Sequence, residues 1–150
     1  LLAEFNRMKK IPGYKGVLIQ PMLSGLELFI GASYEPKFGH VVLCGLGGIF
    51  VEVIKDISSG LAPLTYNEVV SMVHSLKSYR IIQGARGQKG INKEKFIDII
   101  IRLSTLLRFA VEIKELDLNP LIGKGDDIFV VDARIRVERS SKSVSFEQEP

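Results

Sequence analysis

The spacing of apolar residues changes partway along the chain, from alternation and short runs to steps of three and four. Leu26, Leu28 and Ile30 alternate with Glu27 and Phe29, which predicts a strand over 26–34. Short apolar runs predict further strands at Gly16–Gln20, Val41–Cys44 and Ile49–Ile54, the first of them buried. Pro21–Gly25, the turn Pro36–Gly39 and the glycine loop Gly45–Gly48 separate them, so they read as consecutive antiparallel strands. Two helices follow. Thr65 and Glu68 have capping-box spacing, and Val69, Val73 and Leu76 line one face behind them. After the glycine-rich loop 83–91, Asn92 caps a second helix. Its buried face is expected at Phe96, Ile99, Ile100, Leu103, Leu106, Leu107 and Ala110. Residues 1–15 read as a connector from an upstream lobe, 16–137 as one α+β lobe with a largely antiparallel sheet and two packed helices, and 138–150 as a tail or linker.

The C-terminal strands form a hairpin that carries chemistry. In Glu115–Ile122, Leu116 and Leu118 point to the core, and Glu115, Asp117 and Asn119 to the other face. A four-residue loop, Lys124–Asp127, pairs Gly123 with Ile128 on a return strand expected over Ile128–Arg136. Counting back sets Asn119 against Asp132, Asp117 against Arg134 and Glu115 against Arg136. Hard oxygen donors on neighbouring strands suit Mg²⁺, which keeps several waters and shares phosphate oxygens. Asp132 lies in the apolar run Val130–Ala133, where a lone carboxylate is costly without a partner, so Asn119 and Asp132 are the favoured ligands. Glu115 and Asp117 divide equally between that role and plain ion pairs with Arg136 and Arg134.

Composition narrows the classes. Apolar residues make up 46% of the 150 positions and charged residues 25%, enough for one globular domain with a core. No apolar run approaches the length of a membrane span and no leader precedes the pattern, so a cytoplasmic, non-membrane protein is expected. The chain opens on Leu1 rather than Met and reads as a piece of something larger. The lone Cys44 sits in an apolar run and reads as a buried structural thiol. Arg134, Arg136, Arg139 and Lys142 carry part of the +3 net charge; they read as a solvated strand end rather than a nucleic-acid patch.

Glu-Leu-Asp-Leu-Asn-Pro-Leu at 115–121 followed by Val-Val-Asp-Ala-Arg-Ile at 130–135 resembles the metal hairpin of an ATP-grasp domain. The whole chain is most similar to the C-terminal lobe of that domain in NDP-forming (ADP-forming) acyl-CoA synthetases, relatives of the succinyl-CoA synthetase β-subunit. Gly16–Met22, Gly25–Gly31, Phe38–Val42, Gly45–Asp56, Leu61–Leu64 and Arg86-Gly87 agree in order, so the resemblance covers roughly residues 14–137. It implies an ATP/ADP site and an Mg²⁺ site. Gln20, Pro21 and Met22 would meet adenine through backbone groups, and Glu27 would bind the ribose hydroxyls. Gly47, Gly48 and Glu52 would lie near the transferred phosphoryl group. Asn119 and Asp132 would hold Mg²⁺, with Asp117 behind them. On the residues alone the glycine loop is equally well explained as a hairpin turn.

The resemblance implies an acid–CoA ligase that interconverts acyl-CoA, ADP and phosphate with a carboxylic acid, CoA and ATP through a phosphohistidine. The upstream ATP-grasp lobe, with its phosphate-binding lysine, and the CoA-binding and ligase domains would be partners, on the same polypeptide or another subunit. His40 and His74 have no motif around them, so no catalytic histidine is assigned and this lobe alone is expected to be inactive. Two other classes remain open: a regulatory synthetase-like module of a protein acyltransferase, and an interaction domain without a nucleotide site.

Overall fold

The computed structural model describes residues 1–139 apart from Ile49, Phe50, Glu52, Arg86 and Gln88. In chain order the elements are α1 (Leu2–Met8), β1 (Leu26–Glu35), β2 (Gly39–Leu46), β3 (Ile57–Leu61), α2 (Tyr66–Ser75), α3 (Tyr79–Gln83), α4 (Lys93–Phe109), β4 (Ile113–Lys124), β5 (Asp127–Val130) and β6 (Ala133–Val137). The strands form one sheet in the order β3-β2-β1-β4-β5, with β6 also on β4, and every pairing is antiparallel. The expected α+β architecture is present. No helix among the described residues is long and apolar enough to cross a membrane.

The sheet has two unlike faces. Leu28, Ile30 and Ala32 of β1, Val42, Cys44 and Leu46 of β2, and Leu116 and Leu121 of β4 join Val69, Met72 and Val73 of α2 and Phe96, Ile97, Ile100, Leu103 and Leu107 of α4 in one core. Period-two alternation on the strands and three-and-four spacing on the helices meet there, while Phe29 of β1 and Ile122 of β4 are buried on the opposite face. Burial pushes the Cys44 thiol up to about 12, with the Asp56 charge adding to the effect, so it is an inert core group. Both helix caps form as expected: Thr65 Oγ1 accepts from the Glu68 amide while Glu68 accepts from the Thr65 amide, and Asn92 Oδ1 accepts from the Lys95 amide.

Several elements differ from expectation. Gly16–Gln20 is not a buried strand: the segment is exposed and unpaired among the described residues, and Met22 just beyond it is 97% exposed. A strand needs a neighbour for its N–H and C=O groups, and apolar content does not supply one. Ile49–Ile54 is not a strand where it is described; Val51 and Val53 have helical backbone. The edge strand is instead Ile57–Leu61, whose Ser58, Ser59 and Gly60 gave no apolar signal. Helices α1 and α3 add to the two expected, and α1 buries no residue. On α4, Leu106 is exposed while Ile97 and Ser104 are buried. Ser104 earns its place by accepting the Leu64 amide at 2.6 Å.

Asp56 ties the sheet to the helices. It is buried, and its two carboxylate oxygens accept the Lys77 amide at 3.0 Å and the Ser78 amide at 2.7 Å. Burial works against its charge, but the Ser78 and Lys77 hydrogen bonds and the Lys77 charge outweigh burial and hold its pKa below the ordinary 3.8. A depressed folded-state pKa contributes stability that is present above the ordinary value and lost as pH falls through the folded one. Stability therefore drops below about pH 4 in the native protein, and Asp56→Ala flattens that part of the profile while leaving two amides unpaired at a cost of about 1–3 kcal/mol. Denaturant melts at pH 3 and pH 7 measure both effects. Thr65→Ala removes the capping box and lowers stability by about 1 kcal/mol, read as a fall in melting temperature of about 2–4 °C.

Candidate functional site

The face opposite the helices carries the polar residues singled out by the sequence. Strand β4 sets their positions. It pairs Gly123 with Ile128 and Ile122 with Phe129 on β5, then Leu118 with Ala133, Asp117 with Arg134 and Glu115 with Arg136 on β6. This is the register expected from the sequence. The loop is shorter than expected, because Lys124 pairs with Asp127 and only Gly125 and Asp126 turn, Gly125 at φ +59°. The return strand is interrupted at Val131 and Asp132, yet the count holds across the gap. The Val131 amide donates to the Pro120 carbonyl at 3.1 Å and the Asn119 amide to the Asp132 carbonyl at 3.2 Å.

Strand β1 brings the second group of residues. It pairs with β4 on one side and β2 on the other, so Glu27 opposes Ile122 and Gly31 opposes Asp117. Glu27 therefore lies on the same open face as Asp117. The chain leaving β2 folds back over it: the Gly47 amide donates to the Glu27 carbonyl at 2.9 Å and the Gly48 amide to Asn119 Oδ1 at 3.4 Å. Gly48 has φ +58°, and a Cβ there would collide with the Glu27 carboxylate. A Cβ on Gly47 would stand 2.6 Å from the Leu28 carbonyl oxygen and 3.2 Å from Asn119 Oδ1. Glycine is required at both positions because the Leu28 carbonyl, Glu27 and Asn119 converge here.

Glu27, Gly47, Gly48, Asn119, Asp132 and Asp117 thus share one surface. Gln20, Pro21 and Met22 do not join it by any pairing; they are exposed on the segment between α1 and β1. Glu52 lies outside the described residues. Among the described residues no three His, Cys, Asp or Glu side chains group as a metal site. The donors available to a cation are an amide oxygen on Asn119 and the carboxylates of Asp132 and Asp117. These hard oxygens fit Mg²⁺ and not a softer metal.

Electrostatics differ from expectation at Asp132 and Asp117. Val130 and Val131 are exposed and the Asp132 side chain is 45% exposed, so no apolar setting forces a cation on it. Asp132 has its own partner: Arg134 Nη2 stands 3.0 Å and Nε 3.2 Å from Asp132 Oδ2. Arg134 was expected on Asp117, its register partner. Residues 132 and 134 also share a face, and it is Asp132 that takes the guanidinium. Burial pushes the Asp117 carboxyl above its ordinary value; the Arg134 charge opposes the shift and the Asp132 charge adds to it. The expected pair of Glu115 with Arg136 forms at 2.8 Å, and Arg136 also contacts Glu138. The Arg136 hydrogen bond and charge hold the Glu115 carboxyl below its ordinary range. His40 does have a partner, donating from Nε2 to the Ile113 carbonyl at 2.6 Å, and is a buried structural residue.

Comparison with known proteins places this geometry. The model of an ATP-grasp domain matches residues 1–137. The chain is 44% identical over 121 residues to the beta subunit of the ADP-forming acetate–CoA ligase I of Pyrococcus furiosus, covering 80% of this chain and 52% of that one. It is 44% identical over 135 residues to the ADP-forming 4-hydroxybutyrate–CoA ligase of Nitrosopumilus maritimus, covering 88% of this chain and 19% of that one. Among solved structures it resembles the dinucleotide forming acetyl-coenzyme A synthetase 1 of Ca. Korarchaeum cryptofilum in complex with coenzyme A and Mg-AMPPCP. That match has a TM-score of 0.75 and 40% identity, over 78% of this chain and 55% of that one. The chain spans about half the length of the first of these relatives and a fifth of the second. With the family model covering all but the last residues, the chain belongs to the ATP-grasp domain family.

Proposed function

We propose that residues 16–137 are the C-terminal lobe of the ATP-grasp domain in an ADP-forming acid–CoA ligase, and that the open face of the sheet holds Mg²⁺ and ATP or ADP. The observation that carries this is the convergence of Glu27, the Gly47-Gly48 turn, Asn119 and Asp132 on the sheet face opposite α2 and α4. The relatives support the reaction class: the two matched by sequence are ADP-forming CoA ligases, and the solved acetyl-coenzyme A synthetase is in complex with Mg-AMPPCP and coenzyme A. The complete protein would interconvert acyl-CoA, ADP and phosphate with the acid, CoA and ATP through a phosphohistidine carried elsewhere, in the cytoplasm. The fragment 1–15 would lead from the upstream lobe and 138–150 would be a tail.

Each residue has a definite task in this reading. Asn119 Oδ1 and the Asp132 carboxylate would hold Mg²⁺, which supplies charge neutralisation for the β- and γ-phosphates. Using one amide and one carboxylate avoids stacking negative charge against the phosphates. Glu27 would accept hydrogen bonds from the ribose hydroxyls, with Asp117 behind the metal ligands. The Gly47-Gly48 turn would let backbone amides approach phosphate oxygens, since no Cβ stands in the way. Gln20, Pro21 and Met22 would reach adenine through backbone groups, and Glu52 would lie near the phosphoryl group. The exposure of Gln20–Met22 fits a segment that becomes a wall of the cleft only when the upstream lobe is present.

Calorimetric titration of the full-length protein with Mg–ADP tests the reading directly. Binding is expected, and absence of both heat and a melting shift overturns it. Asp132→Asn is expected to abolish Mg²⁺-dependent turnover with an unchanged circular dichroism spectrum; unaltered turnover contradicts the assignment. Gly48→Ala must displace Glu27 and adopt a left-handed backbone, so ADP affinity is expected to fall by about tenfold or more. An affinity within twofold of the native value removes the glycine turn from the site.

A further inference from the structure

Arg134 has two carboxylates as neighbours on its face of the sheet and is bonded to only one of them. It pairs with Asp132 on its own strand, two residues away and on the same face. Asp117 lies directly across the ladder from it, and the two share a shallow cavity of about 290 Å³ with Glu115, Ile135 and Arg136. Among the described residues Asp117 forms no ion pair, whereas Glu115, one register step along, is held by Arg136. The oxygen that Arg134 grips, Asp132 Oδ2, belongs to a carboxylate a cation must use under the reading above. A guanidinium on Oδ2 and a divalent cation at the same carboxylate are like charges a few ångströms apart, so the two compete.

We propose that Arg134 is an exchangeable placeholder: it neutralises Asp132 in the cation-free site and passes to Asp117 when a divalent cation takes Asp132. The inference rests on Asp132 being a cation ligand. The exchange needs no backbone movement, because Arg134 and Asp117 are already opposed in the ladder with Cβ atoms about 5 Å apart. Most of the Arg134 side chain is solvent-exposed, leaving the guanidinium free to swing between partners. Arg134 is thus a positioning residue. It sets the cation affinity and keeps Asp132 aligned while the site is empty. Asp117 acts by receiving the guanidinium rather than by touching the cation.

The test is a double-mutant cycle on the full-length protein, reading Mn²⁺ affinity by electron paramagnetic resonance without nucleotide at neutral pH and low salt. Arg134→Gln removes the competitor and is expected to tighten Mn²⁺ binding two- to fivefold, the range open to an exposed ion pair. Asp117→Asn removes the alternative partner and is expected to weaken binding by a similar factor. In the Arg134→Gln background, Asp117→Asn is expected to change affinity by less than twofold. Arg134→Gln leaving Mn²⁺ affinity unchanged or weaker overturns the exchange. An Asp117→Asn loss that persists in the double variant makes Asp117 a direct ligand and also overturns it. Asp132→Asn separates the two levels: if it does not reduce Mn²⁺ binding, the metal assignment itself fails, whereas loss of binding there with a flat Arg134→Gln result sinks only the exchange.

Discussion

Strand β4 hydrogen-bonds along both edges, to β1 on one side and to β5 and β6 on the other. Twelve residues must therefore satisfy two registers at once, and both are pinned by side chains that have to enter the core. Leu116 and Leu121 belong to the core shared with α2 and α4 and cannot be turned outward without exposing apolar surface on one face and burying carboxylates on the other. That constraint places Asp117 and Asn119 on the open side, Asp132 beside Asn119, and Glu27 across from Ile122. The polar constellation is a by-product of core packing, which makes its geometry rigid without any interaction among the polar groups themselves.

The interactions that do link those polar groups are weak, and their weakness suits a binding face. The Asp132–Arg134 and Glu115–Arg136 pairs are largely exposed, where such pairs contribute between nothing and about 1 kcal/mol. By contrast, the cap at Thr65, the Asp56 carboxylate on two amides and the Ser104 hydroxyl on Leu64 all lie on or beside the helical side of the molecule. Stability is concentrated away from the open face, so ligands can rearrange side chains there without disturbing the fold.

The sequence made the hairpin legible because parity is a strict rule: once the turn is located, every opposed pair follows by counting. Its error in loop length was harmless, since closing one more pair at Lys124 and Asp127 leaves the sum of paired numbers unchanged. The helices were legible from their caps and spacing. Gly16–Gln20 and Ile49–Ile54 misled because apolar runs report a tendency to be covered and say nothing about which neighbour covers them. Strand β3 was invisible for the opposite reason: its Ser-Ser-Gly centre is held by backbone bonds to Val42, Leu43 and Cys44 at a sheet edge. At the candidate site, the opposition of Asn119 and Asp132 was readable from register, but the Arg134 partner was not. Direct opposition pointed to Asp117, whereas the i, i+2 neighbour Asp132 took the guanidinium, and counting along the ladder does not report side-chain reach.

The two-residue tip at Gly125 and Asp126 has a bearing on how this lobe can change over evolution. Lys95 Nζ holds Asp127 at 2.6 Å, so the hairpin is moored to α4 just behind the tip. Extra residues inserted at the tip lengthen a solvent loop and leave every pair below it in place. A single residue inserted between Pro120 and Lys124, or between Ile128 and Val131, shifts the parity and turns either Asn119 or Asp132 toward the core. Lineages of this domain should therefore differ freely in length at one point of the hairpin and hardly at all along its arms.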